Sequence, residues 1–180
     1  APEKQTAKMI RDAITSPDGK TLIFNALGYL WEKKLPNGTP KRLTQAIDFE
    51  AEPSFSPDGR SIVYVTWNDE TMGSIKTLEL SSKKEVTIFS EKGIYRTPSF
   101  ANNGKHIVYV KEGGNNDQGH TFSKESGIYI IDVNGNNKRK LLDHGDFPTF
   151  NSDDSRIFYQ TGGYYFGNLT KELHSISIDG

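Results

Sequence analysis

Short apolar segments recur along the chain, and each follows a small polar turn. In the clearest copies the turn reads Ser-Pro-Asp-Gly, at residues 16–19 and again at 56–59. The four apolar segments are Leu22-Ile23-Phe24, Ile62-Val63-Tyr64, Ile107-Val108-Tyr109 and Ile157-Phe158-Tyr159. Self-similarity at an interval of tens of residues is typical of a repeat architecture. The chain is therefore predicted to contain four copies of one structural unit.

The spacing of the copies indicates the size of that unit. The turn glycines Gly19, Gly59 and Gly104 are separated by 40 and then 45 residues, which accommodates four short strands per copy, as in a propeller blade. In the second copy β-branched and aromatic residues bounded by turn residues mark the strands. Those predicted strands are Pro53–Ser56, Ser61–Trp67, Ser74–Leu80 and Glu85–Phe89.

The strands differ in polarity across each unit. Ile62–Val65 and Ile128–Ile131 are apolar on both faces, so they need cover on two sides. The approaches to the fourth strands are basic, as in Lys41-Arg42 and Lys83-Lys84, and lysine at a sheet edge discourages pairing with other chains. This gradient predicts an all-β fold, a β-propeller with four-stranded antiparallel blades, of which about four are present as a partial ring.

The unit boundaries follow from the repeat. The blades are expected at approximately 11–46, 47–91, 92–143 and 144–180, preceded by an N-terminal segment, 1–10. The fourth copy stops where the turn into its fourth strand would begin. Three interpretations stay open: the N-terminal segment supplies a closing strand, the chain is a piece of a larger propeller, or copies associate through open blade edges. The piece is the favoured one.

Composition narrows the function classes. The 180 residues carry a formal net charge of −1 and contain no cysteine, which gives no electrostatic footprint for nucleic acid and excludes disulfides and thiol chemistry. No apolar run is long enough to cross a bilayer. The histidines His106, His120, His144 and His174 have no metal-ligand spacing. We therefore predict no catalytic residues, no metal, no cofactor, no nucleic-acid partner and no membrane insertion.

The phrase Pro-x-Phe-Ser-Pro-Asp-Gly-x-x-Ile-x-Phe/Tyr resembles the TolB-like β-propeller repeat, a relative of the WD-type propellers. Copy three replaces Pro-Asp by Asn102-Asn103, and copy four has lost both proline and glycine. The segments Ala26–Trp31, Val65–Glu70 and Gly93–Phe100 look like parts of bacterial proteins in which such a propeller precedes an amidohydrolase domain. In those proteins the hydrolase carries the metal and the catalysis, so the resemblance implies no activity in this chain.

A ligand is expected at one rim, where loops between second and third strands meet the loops that enter the next blade. The candidate binding residues there are Asp48, Glu50, Trp67, Asp69, Tyr95, Arg96, His120, His144, Tyr164 and Tyr165. Aromatic and charged side chains on one face suit recognition. The alternative is that aromatic residues such as Trp67 and Tyr95 fill gaps between blades.

These observations predict a non-catalytic module for protein–protein or ligand recognition, within a larger bacterial protein of the TolB-like or amidohydrolase type. Its partner would be another protein or an adjoining catalytic domain. The alternatives are a free-standing periplasmic module for cell-envelope assembly, and a propeller that gates a serine peptidase domain. The chain begins Ala1-Pro2-Glu3 without a methionine, which is a hint of processing. We therefore expect a periplasmic or secreted location, and a cytoplasmic location stays open as the alternative.

Overall fold

The protein folds into four antiparallel sheets arranged as a four-bladed propeller, in a computed structural model that describes residues 7–113, 124–165 and 168–180. Each sheet is formed by strands that follow one another along the chain. The prediction of an all-β propeller is confirmed. Of the predicted closing segment, residues 1–6 lie outside the described residues, and residues 7–10 form no strand.

The strands have the following bounds. The first sheet contains β1 (Arg11–Thr15), β2 (Thr21–Ala26), β3 (Tyr29–Lys34) and β4 (Lys41–Arg42). The second contains β5 (Phe49–Phe55), β6 (Ser61–Asn68), β7 (Met72–Glu79) and β8 (Glu85–Phe89). The third contains β9 (Tyr95–Phe100), β10 (His106–Lys111), β11 (Gly127–Asp132) and β12 (Arg139–Leu142). The fourth contains β13 (Asp146–Phe150), β14 (Arg156–Tyr165) and β15 (Asn168–Ser177).

The second strand of each sheet supplies the core. Successive residues of a strand point to opposite faces, so Ile62 and Tyr64 pack toward the first sheet, whereas Val63 and Val65 pack toward the third. The third sheet repeats this arrangement, because Ile107 faces the second sheet. In the described residues the apolar clusters lie between the first and second, second and third, and third and fourth sheets.

The first strands of the sheets lie side by side around the axis. Strand β1 contacts β5, β5 contacts β9, and β9 contacts β13. Each carries a β-bulge at the same register position, occupied by Asp12, Glu52, Thr97 and Phe147, and all four residues have a φ near +50°. Left-handed backbone is uncommon outside glycine, and bulges bend and twist a strand. The repeated bulge therefore shapes the channel around the axis.

The polar turns between the first and second strands all lie at one end of the blades, which we call the turn rim. The loops between the second and third strands lie at the other end, which we call the loop rim. In the first copy the Asp18 carboxylate accepts hydrogen bonds from the Ser16 hydroxyl at 2.6 Å and the Lys20 amide at 3.0 Å. Gly19 follows with φ +69°. The fourth copy places Asp154 at this glycine position with φ +60°. A side chain is strained there, so it needs a compensating interaction.

Asp154 makes that interaction with the preceding blade. Its carboxylate accepts hydrogen bonds from the Asn102 amide at 2.7 Å, the Asn103 amide at 2.8 Å and the Asn102 side chain at 2.8 Å. Burial raises the pKa of Asp154, but these hydrogen bonds outweigh burial and leave the pKa below its usual value. The two turns that depart from the repeat therefore bind each other.

Replacing Asp154 tests this link between the third and fourth blades. Asp154→Ala should lower the free energy of unfolding by about 1–3 kcal/mol, because two backbone amides lose a charged acceptor. Asp154→Gly should cost less, since glycine adopts positive φ without strain. Urea denaturation of the three proteins measures both effects. Equal losses in the two variants would contradict the strain argument, and no loss in either would contradict the link itself.

The same link predicts a dependence on pH. Because the pKa of Asp154 is lower in the folded protein, its stabilisation is fully present above the carboxyl's unfolded pKa. It is lost as the pH falls through the folded pKa. The difference in unfolding free energy between the wild type and Asp154→Ala should therefore be constant near neutral pH and shrink below about pH 4. A difference that grows with acidification would contradict the assignment.

Candidate functional site

A cavity of about 410 Å³ opens at the loop rim, the end of the propeller opposite the turn rim. It lies where β1, β5 and β9 begin and where β6 ends, so successive blades contribute to it. We call it the channel-mouth cavity. The residues that matter for its chemistry are Arg11, Asp12, Phe49, Glu52, Trp67 and Arg96.

Aromatic side chains form one wall of the cavity. Phe49 and Trp67 are directly opposite each other in the β5–β6 register, where cross-strand side chains lie close together. Phe49 is 48% exposed, and Trp67 is half-buried. The Trp67 indole N–H donates a hydrogen bond to Asp69 at 2.8 Å, which fixes the ring orientation. The wall therefore presents apolar surface to the solvent without exposing a polar group that lacks a partner.

Ion pairs also line the cavity. The Arg96 guanidinium contacts the Glu52 carboxylate at 2.5 and 2.6 Å and Glu112 at 2.7 Å. The pKa of Arg96 is raised above its usual value, chiefly because its guanidinium donates a hydrogen bond to the Glu52 carboxylate. Because Arg96 is held between two carboxylates, its position is fixed before any ligand arrives.

The bulges around the axis are tied to one another by carboxylates. The Asp12 side chain accepts a hydrogen bond from the Glu52 amide at 3.1 Å, and the Glu52 side chain accepts one from the Thr97 amide at 2.5 Å. Each acid thus binds the left-handed residue of the next blade. Glu52 performs two tasks, since the same carboxylate also holds Arg96.

Two of the predicted rim residues lie inside the protein. Glu50 is fully buried, where its carboxylate accepts hydrogen bonds from the Leu30 amide at 2.8 Å and from the Thr44 hydroxyl. Burial raises its pKa, and these hydrogen bonds oppose that effect. Tyr95 is 2% exposed and packs edge-on against Phe89. Glu50 therefore joins two blades and offers no surface to a partner, and Tyr95 fills a gap between blades while its edge reaches the cavity.

The structure distributes the other candidates along the rim. Trp67 and Arg96 line the cavity, and Asp69 adjoins it through Trp67. Asp48 accepts a hydrogen bond from Asn68 at 2.9 Å outside the lining. His144 is exposed and is not among the lining residues. His120 lies outside the described residues, as do the side chains of Tyr164 and Tyr165.

Sequence reasoning missed Arg11, Asp12 and Glu52. Arg11 begins the first strand, and Asp12 and Glu52 lie within first strands, whereas binding residues are expected in loops. The missing signal was the repeat register itself, because Asp12 and Glu52 each stand four residues before the serine of the turn. Across residues 7–113, 124–165 and 168–180, no group of three His, Asp or Glu side chains is arranged to hold a metal ion. Within that part of the chain, no helix is long and apolar enough to cross a membrane.

Glu52 should be more important for stability than Glu112, although both carboxylates bind Arg96. Glu52→Ala removes the acceptor of the Thr97 amide as well as an ion pair, and we expect it to lower the free energy of unfolding by about 2–3 kcal/mol. Glu112→Ala removes one partly exposed ion pair and should cost less than about 1 kcal/mol. Thermal and urea unfolding of both variants measure the difference. Similar losses in the two variants would contradict the assigned role of Glu52.

The chain is similar to known proteins in part of its sequence and in its fold. No protein-family model matches the chain. Over 83 residues, 46% of the chain, it is 37% identical to the Tol-Pal system protein TolB of Francisella tularensis subsp. mediasiatica (strain FSC147). The TolB of F. tularensis subsp. tularensis (strain WY96-3418) is 36% identical over the same length. The match spans only 17% of these relatives.

Solved structures share the fold over nearly the whole chain. TolB from Acinetobacter baumannii has a TM-score of 0.70 at 19% identity, covering 95% of this chain and 41% of that one. An oligogalacturonate lyase in complex with manganese has a TM-score of 0.74 at 15% identity, with 98% and 52% covered. At such identities the likeness concerns the fold alone. The chain is thus a TolB-like β-propeller region, with sequence similarity to TolB over part of its length.

Proposed function

We propose that this propeller is a non-catalytic recognition module that binds a peptide segment of a partner protein in the channel-mouth cavity. The observation that carries the proposal is the cavity itself, which Phe49 and Trp67 line together with a pre-positioned Arg96. Tryptophan and arginine are enriched at the energetic centres of protein interfaces. The exposed aromatic surface supplies affinity, and the fixed ion pairs at the edge supply orientation.

The size of the cavity suits side chains rather than a whole domain. About 410 Å³ falls within the range of pockets that enclose small ligands. A partner would therefore insert one or two side chains and leave its bulk against the surrounding rim. Arg96 and Glu52 satisfy each other, so binding need not leave a buried charge without a partner.

The proposal also concerns the larger protein to which the propeller would belong. We favour a larger bacterial protein of periplasmic or secreted location, in which the propeller recognises a partner or covers an adjoining catalytic domain. The partial sequence similarity to TolB supports the envelope-assembly alternative, because that relative is a Tol-Pal system protein. The alternatives in which the propeller belongs to an amidohydrolase or a serine peptidase are supported only by the resemblance of the repeat to TolB-like propellers.

A peptide selection tests the proposal directly. The purified chain is immobilised, and a phage-displayed library of random peptides is selected against it. Peptides that bind should lose about 30-fold or more in affinity for Trp67→Ala, as expected when an interface hot spot is truncated. The melting temperature of the variant should stay within a few degrees of the wild type, because Trp67 is only half-buried. Fluorescence anisotropy with labelled peptides measures the affinities.

Val86→Ala is the matched control. Val86 is 43% exposed in the outer strand β8, away from the cavity lining, so its truncation should leave peptide affinity unchanged. Selected peptides that bind Trp67→Ala as tightly as the wild type would contradict the proposal. A selection that enriches no peptide would contradict it as well.

A further inference from the structure

The second blade exposes apolar side chains at the loop rim. Ile47, just before β5, is 87% exposed, and Phe49, the first residue of β5, is 48% exposed. Trp67 lies directly opposite Phe49 and is half-buried. The first and third sheets pack on the two sides of this blade, so these side chains are exposed although both neighbouring sheets are present. One exposed apolar residue is ordinary, but three at one end of one blade suit contact with a partner.

Two carboxylates stand beside these apolar residues. Asp69 and Glu70 lie in the turn between β6 and β7, and both are exposed. The Asp69 carboxylate accepts the hydrogen bond from the Trp67 indole N–H, so it lies at the edge of the ring. Within the part of the chain that the structure describes, no cation forms an ion pair with either carboxylate. Both charges are therefore available to a ligand.

The charged side chains that line the channel-mouth cavity do not offset these two charges. The lining contains two arginines and two carboxylates, which are Arg11, Arg96, Asp12 and Glu52. Their formal charges cancel one another, and Glu112 adds a further negative charge next to Arg96. The turn between β6 and β7 therefore gives the edge of the cavity an excess of negative charge.

A tryptophan ring with a carboxylate at its edge favours a cationic side chain. The ring face attracts a lysine or arginine head group, and tryptophan does so more strongly than the other aromatic residues. The aliphatic stem of such a side chain can pack on apolar surface while its charged end reaches a carboxylate. An acidic segment would be repelled here, and an apolar one would cover the carboxylates without giving them a partner.

We propose that the segment bound at the channel-mouth cavity is a basic and apolar peptide of a partner protein. One lysine or arginine of the peptide contacts the Trp67 ring and the carboxylates of Asp69 and Glu70. Apolar neighbours in the peptide cover Phe49 and Ile47. This inference rests on the proposed function, because it names the chemistry of the peptide that the same cavity binds. Charge complementarity then selects among partners, since like charges brought together across an interface are unfavourable.

Substitutions in the peptide test the proposal first. The probes are the peptides from the phage selection, and each lysine or arginine is replaced in turn by methionine, which keeps an unbranched side chain and removes the charge. Replacing the recognised residue should weaken binding about tenfold, through the loss of a cation–π contact and an ion pair. Binding of the unaltered peptide should also weaken as sodium chloride is raised from about 20 mM to about 0.5 M, because salt screens exposed charges. Fluorescence anisotropy measures both effects.

Substitutions in the protein locate the contact. Asp69→Asn keeps an oxygen that can accept the Trp67 indole N–H and removes the charge, and Glu70→Gln is the equivalent change beside it. Each should weaken the unaltered peptide about three- to fivefold and have little effect on the methionine-substituted peptide, because both changes remove the same interaction. Glu79→Gln is the matched control, since Glu79 is exposed at the other end of β7 and loses the same charge. It should leave peptide affinity unchanged.

The outcomes distinguish this inference from the proposed function. Peptides that depend on Trp67 but contain no lysine or arginine would overturn the inference and leave the proposed function standing. Basic peptides that bind Asp69→Asn and Glu70→Gln as tightly as the wild type would do the same. An equal loss for Glu79→Gln would show an effect of net charge alone and would also overturn the inference. A selection that yields no peptide dependent on Trp67 would contradict the proposed function, and this inference with it.

Discussion

A strand that is apolar on both faces needs cover on both sides to be stable in water, and in an all-β protein other sheets supply that cover. In this protein the second strand of each sheet meets that condition, with Tyr64 packing on one neighbour and Val63 on the other. The radial order of the blades follows from this requirement, because each sheet must lie beside the next along the chain. The loop rim follows in turn, since blades placed side by side bring their loops to a common end.

The second organising feature is the set of carboxylates near the axis. Asp12 and Glu52 each accept a hydrogen bond from the left-handed residue of the next blade, which links neighbouring first strands. Glu52 also holds Arg96. The fold and the candidate site therefore share a residue, because the same carboxylate joins two blades and binds a side chain that lines the cavity.

The sequence predicts the bounds of several strands well, but it does not predict the bulges in the first strands near the axis. Turn chemistry and alternating apolar residues locate β8 at Glu85–Phe89 as predicted, and β6 within one residue. The bulges could not be predicted, because Asp12, Glu52, Thr97 and Phe147 share no side-chain chemistry. Three of them precede a proline, a position that normally favours extended backbone. The sequence does not predict the burial of Glu50 either, since a glutamate beside a loop is ordinarily exposed.

The packing order of the sheets is the claim on which the other conclusions depend, and methyl-selective nuclear Overhauser spectroscopy tests it most directly. The account predicts cross-peaks between Ile23 and Ile62, between Val63 and Ile107, and between Val108 and Ile157, all pairs within shared apolar clusters. Methyl contacts between Ile62 and Ile157, or the absence of contacts between successive copies, would contradict the radial arrangement.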